Sequence, residues 1–68
     1  MDTTAYTPTD RIRQERRRQF LTMEQLATRS GVHAQTIWRL ENGHGATAPT
    51  IQKIAKALNV DPSELVKL

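Results

Sequence analysis

The sequence predicts a small all-α domain, a compact bundle of five short helices that contains a helix-turn-helix. Three observations carry that expectation. Sixty-eight residues allow one unit around one core. Apolar residues recur at helical spacing, as in Ile37 with Leu40 and in Ile51, Ile54, Ala55 and Leu58, and no alternating β-branched run argues for a strand. Helix-start and helix-stop residues punctuate the chain at short intervals.

In chain order, 1–9 is polar, with Tyr6 and Pro8 its only notable features, and reads as a flexible N-terminal tail ahead of a domain over 10–68. It holds no Lys or Arg, which argues against an arm that enters a minor groove. A first helix is expected over about 10–19, with Ile12 facing inward and most of its surface wet. Thr22 and Gln25 then form a capping box: the Thr22 hydroxyl can accept from the Gln25 amide while the Gln25 side chain reaches back. The second helix carries Leu26 and Ala27 inward and stops near Ser30-Gly31, where glycine permits a sharp left-handed turn. Val32 plugs the turn. The third helix, 34–41, places Ile37 and Leu40 on one face and ends at Asn42-Gly43. The stretch 44–49 reads as a loop, with Thr50 capping a fourth helix. Asp61, Pro62 and Glu64 combine a cap, a first-turn proline and a box glutamate, so Leu65 and Leu68 are expected to begin a short fifth helix.

Composition narrows the function. There is no cysteine, and His33 and His44 alone cannot build a zinc-finger site, so neither metal nor cofactor is expected. No apolar stretch approaches the roughly 18 residues of a membrane span, and the first residues lack the basic start and apolar core of a signal peptide. A cytoplasmic location without membrane contact is the expectation. Enzymatic chemistry is not expected either: there is no carboxylate pair in an apolar setting, no nucleophile beside a base and no glycine loop opening from a strand. The net charge is +3. Between 11 and 39, however, seven arginines face only two glutamates. That excess suits a polyanion, most simply the phosphates of nucleic acid; a solvated arginine-rich helix is the plain alternative.

Two helices of about eight residues joined by a tight glycine turn make a helix-turn-helix, whose first helix braces and whose second enters the major groove. The ordered series Leu21, Thr22, Gln25, Leu26, Ala27, Gly31, Val32, Thr36, Ile37, Arg39, Leu40, Glu41, Asn42 and Gly43 resembles the Xre or lambda-repressor-like family of DNA-binding domains. The later run Pro49, Thr50, Ile51, Lys53, Ile54, Ala55, Lys56, Ala57, Leu58 and Val60 fits the same pattern, so the likeness covers about 12–65. It implies a five-helix domain that binds double-stranded DNA in transcription regulation, most simply as a repressor. An antitoxin-like or adaptor module that holds a protein partner is the alternative, and a homodimer on a palindromic operator is one assembly the family allows. Two departures stand out. Phe20 occupies a position that is usually glycine in the family, and His33 replaces the usual Ser or Thr cap of the third helix.

If Ile37 and Leu40 point inward, the opposite face presents Ala34, Gln35, Trp38 and Arg39. Gln35 has the paired donor and acceptor that match adenine, Arg39 the fork that matches guanine, and Ala34 can meet a thymine methyl. His33 joins this base-reading set at the helix start. Trp38 has three open placements: against the turn near Phe20, against DNA, or against a protein. Phosphate contacts are expected from Thr22 and Met23, where a helix start attracts anions, from Thr36, and from Asn42, Gly43 and His44 after the reading helix. Arg13 is added by charge. Glu41 in a last helical turn meets the negative end of the helix dipole, so a buried ion pair with Arg16 is expected; the resemblance places such a pair at these positions.

Overall fold

The structure, a computed structural model, describes residues 5–67. Four α-helices follow one another: α1 (Arg11–Arg18), α2 (Met23–Ser30), α3 (Ala34–Glu41) and α4 (Ala48–Leu58), with a 3-10 turn at Pro62–Glu64. The all-α class therefore stands, with four α-helices where five helices were expected. In place of the fifth, the Asp61 carboxylate accepts from the Ser63 amide at 2.9 Å and Glu64 Oε2 accepts from the Asp61 amide at 3.0 Å. The chain then turns at buried Leu65 into extended backbone, because Val66 pairs with Pro8. Leu68 lies outside the described residues.

Three helices end in the same way. An amide two or three places beyond the last helical residue reaches back to the carbonyl five residues earlier: Leu21 to Arg16 at 3.0 Å, His44 to Arg39 at 2.9 Å and Val60 to Ala55 at 3.0 Å. This closure needs a left-handed residue in between. Phe20 (φ 57°), Gly43 (φ 90°) and Asn59 (φ 60°) fill the three positions. The α2 start has the anticipated reciprocal cap, with Gln25 N donating to Thr22 Oγ1 at 3.0 Å and Thr22 N to Gln25 Oε1 at 2.8 Å. The start of α4 differs from expectation. It is Thr47, not Thr50, that precedes the helix, so Pro49 falls in the first turn, where its missing amide hydrogen costs nothing.

Ile12, Leu26, Ile37, Leu40, Ile54, Leu58 and Leu65 are wholly buried and draw every element into one core. Burying each such side chain contributes about 1.5–3 kcal/mol. The second helix packs against both α3 and α4, leaving α3 with one face in the core and one outside.

Residues 5–9, expected as part of a free tail, run along the domain. Tyr6 and Ala46 exchange both backbone hydrogen bonds, at 2.7 and 3.1 Å, while Thr9 N donates to Leu65 O and Lys67 N to Thr7 O, each at 2.8 Å. The segment thus lies between the loop that follows α3 and the end of the described chain. These pairings join residues some 40 to 60 positions apart, which a polar composition does not announce.

Candidate nucleic-acid interface

Helical register divides α3 cleanly. Ile37, Leu40 and Glu41 are buried, while Gln35, Trp38, Arg39 and Asn42, at i, i+3, i+4 and i+7, form one exposed stripe. Trp38 sits at its centre with about half its surface, 51%, in solvent. Packing of Trp38 near Phe20 is not found, since Phe20 is itself 91% exposed. Asn42 Nδ2 donates to Trp38 O at 2.7 Å, which holds the end of the stripe in place. Ala34 and Thr36 are half-buried and flank it, and His33 is exposed at the helix start without a side-chain capping bond.

The other expected contact groups fall in two places. Thr22 and Met23 stand at the start of α2, where the cap satisfies the Gln25 amide and leaves the amides of Met23 and Glu24 facing out of the helix end. Gly43 and His44 follow the reading stripe directly and are exposed. Arg13 is placed differently from a free phosphate ligand. Its Nε donates to Glu41 Oε1 at 3.2 Å and its Nη2 to the Glu41 carbonyl at 3.0 Å, although 40% of the side chain remains in solvent.

Beneath the stripe the structure brings Arg16 and Glu41 together. Arg16 donates from Nε to Glu41 Oε2 at 2.7 Å and from Nη2 to Oε1 at 2.9 Å, and its Nη1 donates to the Leu21 carbonyl at 2.8 Å. The Glu41 carboxylate is fully buried. Its hydrogen bond and charge hold the Arg16 guanidinium above its ordinary pKa against the opposing effect of burial. One guanidinium thereby ties the turn after α1 to the last turn of α3. With Arg13 also present, two cations share one carboxylate, and the cluster keeps a net positive charge beside the end of the stripe.

Sequence reasoning missed the Arg13 contact and a second cluster. Buried Glu15 accepts from Arg11 at 3.2 Å and from Arg18 at 3.4 Å, and Arg11 also reaches Glu64 at 3.3 Å. For Arg13 a signal existed: it lies three residues before Arg16 and so on the same helix face.

Comparison with known proteins agrees with this geometry. A family model described as helix-turn-helix matches residues 12–65. The crystal structure of the restriction-modification controller protein C.AhdI from Aeromonas hydrophila is similar at a TM-score of 0.76 and 32% identity, over 81% of this chain and 85% of that one. The biofilm master regulator SinR, crystallised in complex with DNA, is similar in fold at a TM-score of 0.73 and 22% identity, over 78% of this chain and 87% of that one. No curated protein matches.

Proposed function

The chain belongs to the Xre-like helix-turn-helix family of DNA-binding transcription regulators, and from that premise we propose that α3 reads base edges in the major groove while α2 braces on the backbone. The observation that carries this reading is the stripe of Gln35, Trp38, Arg39 and Asn42, polar groups and one flat ring, on a helix whose other face is locked into the core. Gln35 pairs with adenine N6 and N7 and Arg39 with guanine O6 and N7. Ala34 and His33 border these contacts, and Trp38 lies against sugar and base edges. The Met23 amide region, the loop at Asn42, Gly43 and His44, Thr36, and the exposed part of Arg13 meet phosphates. The protein acts as a repressor, because a domain seated in the groove over a promoter excludes polymerase by occupancy alone. Two copies bind two-fold related half-sites.

Selection of bound sites from random duplex tests the whole reading at once. The expected outcome is a palindrome with half-site centres roughly 34–36 Å apart. Arg39→Ala and Gln35→Ala should each lose about 1–3 kcal/mol of discrimination at a single base position, and Arg29→Ala, exposed on α2, should change little. Equal, sequence-independent losses for all three variants would remove the reading face from α3.

A further inference from the structure

We propose that residues 5–9 are a positioning strap for DNA binding: they hold the loop that follows α3 in the shape in which it meets the phosphate backbone. This inference rests on the reading of α3 given above. The observations are specific. Tyr6 exchanges two backbone hydrogen bonds with Ala46, three residues beyond the left-handed Gly43. On its other side the strap is fixed by Thr9 to Leu65 and by Lys67 to Thr7, so it is gripped along both edges. The start of the loop is held to α3 by the Gly43 amide to Leu40 O and the His44 amide to Arg39 O, while Gly43, His44 and Gly45 are exposed and the strap holds its far end at Ala46. Gly45 marks the closeness of the fit. A Cβ there would lie 3.2 Å from the Ala5 Cβ and 3.3 Å from the Tyr6 carbonyl oxygen, a tight contact that the strap must ease by a few tenths of an ångström.

The strap contributes no Lys or Arg of its own through residue 9. It acts on DNA through the loop, where the amides of Gly43, His44 and Ala46 bond within the protein and exposed Gly45 is the one whose amide has no backbone acceptor among the described residues. Phosphate contacts carry no base information. Loss of the strap should therefore weaken binding to every sequence alike and leave the base preference set by Gln35 and Arg39 unchanged.

Two variants of the full chain part strap from loop by different routes. Gly45→Val inserts a side chain between them, and Tyr6→Pro removes the amide that donates to Ala46. Gly45→Ala is the milder form should Gly45→Val fail to fold. Each is measured against two duplexes, the selected site and the same site with one base pair changed under Arg39, and against Ile54→Val, which lowers stability from inside α4 without touching the strap. The expected result is a loss of about tenfold on both duplexes, the size of one charge-assisted hydrogen bond, with their ratio unchanged. Ile54→Val should melt lower yet bind at full strength. Amide exchange without DNA supplies a separate readout: His44 and Ala46 should exchange faster in the strap variants. Unchanged His44 protection, full affinity in the strap variants, or an equal loss in Ile54→Val would each overturn the strap. A wild-type chain that bound no duplex would instead sink the DNA reading, and His44 exchange would still decide whether the strap holds the loop.

Discussion

Phe20 carries a left-handed backbone, φ 57°, with its ring 91% in solvent. A side chain on such backbone costs about 1–2 kcal/mol, and here no burial of the ring offsets it. Glycine relieves the clash but has more freedom to lose on folding, roughly 0.5–1 kcal/mol. Phe20→Gly should accordingly raise stability by up to about 1 kcal/mol, read as a higher urea midpoint at constant slope; a drop would mean that the ring packs on something. Arg16 presents the opposite case. Removing it strands a fully buried Glu41 carboxylate, so Arg16→Ala should cost about 3–5 kcal/mol. The half-exposed Arg13 is screened by water, and its removal should cost about 1 kcal/mol or less. Arg17 is exposed and makes no ion pair among the described residues, so Arg17→Ala should leave the melting curve where it was. Similar small losses for Arg16 and Arg17 would show that Glu41 is not held as described.

Among the elements, what was legible in the sequence is what a helix end settles within four residues of itself. The Thr22 and Gln25 box, the Gly31 turn, the bounds of α3 and the Asp61 and Glu64 box are all of this kind, since cap donors and acceptors are chain neighbours. Gln35, Trp38 and Arg39 on the α3 stripe were legible because burial of Ile37 and Leu40 fixes what lies opposite, whereas Ala34, expected on the same face, is half-buried and Asn42 completes the stripe. The start of α4 was not legible: the sequence offers Thr50 as the cap, whereas Thr47 precedes the helix without a side-chain cap bond and Pro49 lies in its first turn. The fifth helix and the strap were illegible because they depend on partners some 40 to 60 residues away: Leu65 and Val66 leave helical geometry to meet Thr9 and Pro8. The Asp61 cap is also open to acid. Hydrogen bonds from the Ser63 hydroxyl and amide hold the Asp61 carboxyl below its ordinary pKa. A lowered carboxyl pKa stabilises the fold above the unfolded value and ceases to do so as pH falls through the folded one. The 3-10 turn should therefore loosen as pH drops below the ordinary carboxylate range near about 4. Faster amide exchange at Ser63 and Leu65 in that window, absent in Asp61→Asn, is the expected signature; equal pH dependence in both chains would dismiss it.

Across the whole molecule, charge that the sequence offers to a polyanion is partly spent internally. Of the arginines between 11 and 39, Arg11, Arg13, Arg16 and Arg18 all touch carboxylates, and Arg17, Arg29 and Arg39 touch none among the described residues. The basic run of α1 is thus as much a brace for α3 and the 3-10 turn as a lure for phosphate, and only Arg39 stands on the stripe itself. That bracing has a consequence in time. Arg16 and Glu41 are 25 positions apart, and the span between them encloses α2, its turn and α3. Contacts of α2 with α3 close short loops and can form early, whereas the ion pair gains only once α1 and α3 are both in place. It is then a latch shut after the folding barrier has been crossed. Its removal should speed unfolding and leave the refolding rate nearly untouched, so that one limb of a chevron plot moves and the other stays. Were refolding to slow in proportion to the stability lost, the latch would belong to the nucleus. If unfolding alone quickens, the orientation of α3 is a matter of residence time, set by how long one carboxylate stays in the grip of one guanidinium.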